Sequence, residues 1–370
     1  MERYFSTDVL VDILQRVPPI SRRRFRLVCR HWRDLVDNRT TGMQIKIRLK
    51  PLIWDTCSAV AYVVDAPFPW QSASMETCKR IMDSAYHFKG GVQLIGTCNG
   101  LLCLCSNTKP GGDIMVVNPA TRQKLRVSPL RCAALPVGTR GRAEFDKAYS
   151  FGYHPITGQY KVVHVPCSFD RVCEFDTVHV LTLGEAAWRE VQVDVPGDTK
   201  CNLNAGIVST NGATYWVAGG SSPRILSFDL KDKRVTSITQ LPPLPAGRDR
   251  YHLTEVRGRL GVATWDGSVT REVWVLEDKT WNRRYSFKGH DLPRPYFVYG
   301  DQVLTRQSLS FYWHRRYGCK VMHVDQRDNG RLVAKMIAEN HCYRMFAYVE
   351  TTEPLSVFRR KELIGDISAN

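Results

Sequence analysis

Twelve cysteines, ten histidines and 36 carboxylates give this 370-residue chain groups for metal binding and acid–base chemistry, so their spacing decides what they can do. Cys103 and Cys105 flank Leu104 in the strand-like run GLLCLCS and fall on one face. Metal knuckles place two or more residues between ligands and bring a second pair, which is missing here; His341-Cys342 has no matching pair either. In a long chain with irregular cysteine spacing, most of these residues read as reduced thiols acting as small buried hydrophobes. Asp170, Glu174 and Asp176 cluster, but carboxylates alternating beside a strand usually form its solvated face. The GxSxG, HExxH, phosphate-loop and dinucleotide patterns are absent. A copper oxidase site inside a ring of sheets would need Tyr, His and Cys ligands, and no spacing selects such a set. No catalytic, metal or cofactor set emerges, and the expectation is a protein that binds rather than catalyses.

The formal charge is +16, from 52 basic against 36 acidic residues, with runs such as Arg22-Arg23-Arg24 and Arg315-Arg316. A basic surface attracts nucleic acid, an acidic protein or an anionic membrane, and charge alone does not choose among them. Arg140, Arg142, Arg248, Arg250, Arg315 and Arg316 fall in expected loops and could line one rim for nucleic acid; scattered solubilising charge is the plainer reading. No run of about 18 apolar residues is present, so no membrane span is expected. Glu2, Arg3 and Asp8 precede an amphipathic helix, unlike a secretory signal, and an intracellular protein of nucleus or cytoplasm is expected.

The elements that would position any binding residue fall into two textures. Ser6, Thr7 and Asp8 can cap a helix in which Val9, Leu10, Ile13, Leu14 and Val17 recur at helical period. Pro18 and Pro19 stop it. Ser21 can cap a second helix with Phe25, Val28, Trp32 and Val36 on one stripe. A module below about 40 residues buries too little to fold unaided. Val9, Leu10 and Val11 in succession are also wider than one core stripe, so an outside surface must cover part of them. Either the rest of this chain or a partner could do so.

From Gln44 the texture turns to short strands. Residues 44–49 alternate as a half-buried strand would, residues 60–64 read as another, and 67–70 as a turn; 74–86 fits a short helix or a loop equally. A strand, a polar turn and a second strand recur at Val116, Val178, Leu226, Val273 and Met322. A second cue, a turn followed by a strand, opens at Asn99-Gly100, Asn211-Gly212, Arg257-Gly258 and Tyr299-Gly300. Two interleaved cues at a period of roughly 40 to 50 residues indicate a β-propeller of about six blades, seven being possible. Residues 128–147, rich in Arg, Pro and Gly, read as an inserted loop. Strands before Asn99 would close the ring with those after Ala338. The expected division is a helical module over 1–41, a propeller over 42–358 and a frayed tail over 359–370.

The order Asp8-Val-Leu-Val-Asp-Ile-Leu, Arg16-Val-Pro-Pro and Arg24-Phe-Arg-Leu-Val-Cys-Arg-His-Trp-Arg resembles an F-box. Cys98-Asn-Gly-Leu-Leu-Cys, Val117-Asn-Pro-Ala-Thr-Arg, Phe151-Gly-Tyr-His with Tyr160-Lys-Val-Val, Asn211-Gly-Ala-Thr-Tyr-Trp and Phe346-Ala-Tyr-Val-Glu resemble the kelch-like, F-box-associated domain of plant proteins. The resemblance implies a mainly β chain with a small α module, a three-helix F-box followed by the propeller. It implies that the F-box binds a Skp-type adaptor, and through it a cullin scaffold, while the propeller holds an unknown substrate protein for ubiquitination. Leu10, Ile13, Leu14, Val17, Pro18, Phe25, Val28 and Trp32 are the residues it assigns to adaptor contact and module core together. Where the family opens with Leu-Pro this chain has Phe5-Ser6, which implies a weaker adaptor contact at that point.

Overall fold

The computed structural model describes residues 6–17, 25, 28–39, 49–64, 79–82, 91–108, 111–130, 145–166, 177–194, 201–219, 223–243, 251–265, 270–288, 294–299, 302–309, 318–328, 331–341 and 343–358. At the N-terminus, helix α1 spans Thr7–Arg16 and α2 spans Arg30–Asp34, continued by a π-helical turn over Leu35–Arg39. Residues 18–24, 26 and 27, where a further helix was expected, lie outside the described set, as do Ser21 and Pro18.

Among the described residues, 24 strands build six four-stranded antiparallel sheets. The first holds β1 (Lys50–Asp55), β2 (Val60–Val63) and β3 (Lys79–Met82). The second runs β4 (Val92–Cys98), β5 (Leu101–Ser106), β6 (Asp113–Asn118), β7 (Gln123–Arg126). The third runs β8 (Tyr149–His154), β9 (Gln159–His164), β10 (Thr177–Thr182), β11 (Arg189–Gln192). The fourth is β12 (Ile207–Thr210), β13 (Ala213–Ala218), β14 (Arg224–Asp229), β15 (Val235–Gln240). The fifth is β16 (Tyr251–Val256), β17 (Arg259–Trp265), β18 (Thr270–Glu277), β19 (Thr280–Lys288). The sixth is β20 (Arg294–Tyr299), β21 (Gln302–Leu309), β22 (Gly318–Asp328), β23 (Arg331–His341). The last strand, β24 (Tyr343–Tyr348), returns to the first sheet and pairs with β1, Leu52 opposite Phe346. Strands β4, β8, β12, β16, β20 and β24 touch in that cyclic order, so the sheets form a closed propeller whose ring is zipped by the two ends of the domain.

Turn chemistry explains why the strands end where they do. The hairpins after β4, β12, β16 and β18 have two-residue loops with positive φ at both positions: Asn99-Gly100, Asn211-Gly212, Arg257-Gly258 and Asp278-Lys279. That is the type I′ geometry, whose twist matches paired strands. A longer turn recurs after β1, β6, β8 and β14. In each, an Asp, Asn or His side chain accepts backbone N–H groups ahead of it: Asp55 from Cys57, Asn118 from Ala120, His154 from Thr157 and Asp229 from Lys231. The fifth residue is left-handed, at Ala59, Arg122, Gly158 and Lys233.

Strand β5 is buried along its whole length because both faces pack against neighbouring sheets. Leu101, Cys103 and Cys105, with Ile114 of the same sheet, face Phe151 and Val162 of the third sheet, and Leu102 and Leu104 face Leu52 and Trp54 of the first. The run LLCLC is therefore continuous rather than alternating, and the two cysteines share one apolar face. Burial pushes both thiols well up in pKa, which makes them inert.

Two expectations change. Residues 79–82, within the stretch left between helix and loop, form an edge strand paired with β2, because an open ladder supplies partners that local propensity does not foresee. The insertion over 128–147 ends in an ordered 3-10 turn, Phe145–Ala148, with Phe145 buried in the core. Residues 44–48, 67–70 and 359–370 lie outside the described residues.

Candidate functional site

Two regions of the described residues gather groups that a ligand could reach. In the helical module, the Ser6 hydroxyl accepts from Val9 N–H at 3.4 Å and starts α1. The Cys29 sulfur caps α2 in the same way, accepting from Trp32 N–H at 3.5 Å. Leu14, Leu35 and Val36 form the buried core, with Leu10, Val11, Phe25 and Trp32 packed around it; the Phe25 and Trp32 rings lie 5.3 Å apart. Outside that core Val9, Ile13 and Val28 stay 45%, 42% and 60% exposed. The structure thus divides the residues that sequence grouped together. Leu14 is a core residue, Leu10, Phe25 and Trp32 support it, Val17 is half-buried at the end of α1, and Ile13 and Val28 are exposed. Among the described residues no helix is long and apolar enough to cross a membrane.

The second region is the centre of the ring, a cavity of about 1060 Å³ lined by β4, β8, β12, β16 and β24 and by the loops at one mouth. A polar network fixes that mouth. Arg344 donates to the Asp146 carboxylate at 2.9 Å and to Leu94 O at 3.2 Å, and Asn107 donates to the other Asp146 oxygen at 2.7 Å. Asp146 N–H returns a bond to Asn107 Oδ1 at 3.1 Å. Further down, the Thr97 hydroxyl donates to Ala347 O. Arg344 reaches Leu94 near the start of β4, and Thr97 reaches Ala347 near the end of both strands, so β4 and β24 run side by side in the same direction. At that far end Glu255 lines the cavity; its Oε1 accepts from Gly258 N–H at 3.2 Å, and burial holds its carboxyl above the usual range.

Sequence reading did not single out Asn107, Asp146, Arg344 or Glu255. Each is an ordinary polar residue next to a turn, and Asp146 and Arg344 are 198 residues apart, beyond any periodic signal. Asp170, Glu174, Asp176, Cys342 and the six rim arginines lie outside the described residues.

Comparison with known proteins is consistent with both regions. The F-box domain pattern matches residues 5–41, and the F-box associated beta propeller domain pattern matches residues 66–299. The chain is 24% identical over 371 residues to the F-box/kelch-repeat protein At2g43445 of Arabidopsis thaliana, across 95% of this chain and 78% of that one. It is 28% identical over 298 residues to the Arabidopsis thaliana F-box protein At5g18160, across 78% and 70%. Among solved structures, TolB from Acinetobacter baumannii aligns with a TM-score of 0.47 at 11% identity, over 82% of this chain and 66% of that one. With the propeller-domain match covering more than half of its length and an F-box match over its helices, the chain belongs to the family of F-box proteins with an F-box-associated β-propeller domain.

Proposed function

We propose that this protein is the substrate-recognition subunit of a Skp-cullin-F-box ubiquitin ligase. Its helical module, a three-helix F-box, docks on a Skp-type adaptor, and its propeller, with each four-stranded sheet counted as one blade, holds a target protein. The observation that carries this reading is the exposure of Val9, Ile13 and Val28 around a core that Leu14, Leu35 and Val36 already fill. Side chains of this type, left in water by their own module, gain about 25 cal/mol per Å² when a partner covers them. The chain itself is not a catalyst in this reading. Ubiquitin transfer occurs on other subunits, and the contribution here is to raise the effective concentration of a target lysine near the activated thioester.

The test is co-purification with a Skp-type adaptor, comparing the full chain with one lacking the residues before Gly42. Only the full chain should retain the adaptor, and retention should persist at high salt because the contact is apolar. Equal retention by both versions, or by neither, overturns the proposal.

A further inference from the structure

The wall of the central cavity carries Asp146, Lys147, Glu255 and Arg344 as its charged groups among the described residues. Asp146 and Arg344 neutralise each other at the mouth. Glu255 lies at the other end, about 10 Å away along the inner strands, taking three residues of strand between the Leu94 and Thr97 levels at ~3.3 Å each. Its hydrogen-bond partner is the Gly258 N–H, and among the residues whose side chains are described no basic group lies within ion-pair distance of it. In a chain of +16, Glu255 is the one carboxylate that the described wall carries at this end of the channel. A half-buried carboxylate with oxygen lone pairs to spare favours a cationic donor.

We propose that the channel receives a basic side chain, arginine or lysine, from a target polypeptide, and that the Glu255 carboxylate binds its cation. The inference rests on the reading that the propeller holds the target, and it names the chemistry of what is held. Asn107, Asp146, Arg344 and Thr56 line the mouth across which the target segment would lie, and Glu255 lines the wall its side chain would reach. A neutral side chain of the same length would cover the carboxylate without supplying a counter-charge and so bind less tightly.

The experiment is calorimetric titration of the full chain with acetyl-Gly-Arg-Gly-amide, with acetyl-Gly-Gln-Gly-amide and with agmatine, repeated on Glu255→Gln. Glutamine keeps an acceptor for Gly258 N–H, so the variant removes charge while preserving shape, and its melting temperature serves as the check on folding. The arginine peptide is expected to bind at least tenfold more tightly than the glutamine peptide, and Glu255→Gln should erase that difference. Affinity for the arginine peptide should also fall on acidification, beginning above the usual carboxylate range because the Glu255 pKa is raised. Equal binding of the two peptides, an undiminished preference in Glu255→Gln, or no binding overturns the inference. Agmatine binding as tightly as the peptide overturns the polypeptide as the source of the cation. Adaptor capture plays no part in this titration, so either proposal can fail alone.

Discussion

The Tyr160 hydroxyl in β9 donates a 2.7 Å hydrogen bond to the carboxylate of Glu353, 193 residues later in the chain and fully buried. Around it, Asn99 donates to the Tyr160 oxygen at 3.3 Å and Asn118 to Glu353 O at 2.7 Å, while Leu355 N–H donates to Gln123 Oε1 at 2.6 Å. The Phe151 ring stacks on Tyr160 and the Phe358 ring meets it edge-on. Residues 349–358 therefore form a strap that follows the ring-closing strand and is fastened to the second and third sheets. Burial, and then Glu353, push the Tyr160 phenol well up in pKa, so it stays a donor.

Tyr160→Phe should destabilise the propeller by about 1–3 kcal/mol, the cost of leaving a buried acceptor without its donor. Glu353→Gln should cost less, since the amide oxygen can still accept. Urea midpoints of the two variants check this, and a Tyr160→Phe midpoint equal to that of the parent protein would remove the strap from the account of ring closure.

Gly100 sits beneath the same strap. Its φ is +84°, and a Cβ placed there would lie 2.5 Å from Val349 O and from the Thr351 methyl. Gly206 has a similar φ of +77° with nothing within 4 Å of such a Cβ. Gly206→Ala should lose only the backbone strain of about 1 kcal/mol, whereas Gly100→Ala should lose clearly more because the strap must move. Thermal unfolding of both variants side by side gives the comparison, and equal losses would contradict the packing described.

In the helical module, burial separates two kinds of substitution. Leu14→Asp places a charge in a filled core and should melt the helices, lowering far-UV helical signal together with adaptor capture. Ile13→Asp and Val28→Asp alter side chains that are already in water, so helicity should be unchanged while capture is lost. Full capture by both exposed-site variants would place the adaptor contact elsewhere.

His164 stands between Tyr149 and His179 in a row across the third sheet, and its buried Nδ1 has no hydrogen-bond partner. Burial, and then His179, push its pKa down to about 3 from an ordinary 6.5. The folded pKa lies below the unfolded one, so its contribution is complete above about pH 6.5 and is lost as the pH falls from there towards 3. His164→Phe, which keeps a ring of similar size, should flatten stability against pH across that window. Denaturant midpoints between pH 7 and pH 4 measure it, and parallel curves for the two proteins would exclude His164 as a source of acid sensitivity.

How far the sequence could be read follows the range of each interaction. The I′ turns at Asn99-Gly100 and Asn211-Gly212 and the side-chain-capped turns at Asn118 and Asp229 are settled within five residues, which is why the strand–turn–strand repeats were visible. The capped start of α1 at Ser6 was legible for the same reason. Residues 79–82 were not, because their strand exists through pairing with β2.

The hairpins, the shared apolar face of Cys103 and Cys105, and the amphipathic stripes of the helices follow from near neighbours along the chain. Long-range packing is what makes Leu14 interior while Ile13 and Val28 face water, brings Arg344 to Asp146 at the channel mouth, and joins Tyr160 to Glu353. These pairings join residues up to 198 positions apart, and closing the ring is what makes them neighbours. Burial and charge pairing depend on that closure, and local propensity carries no trace of it.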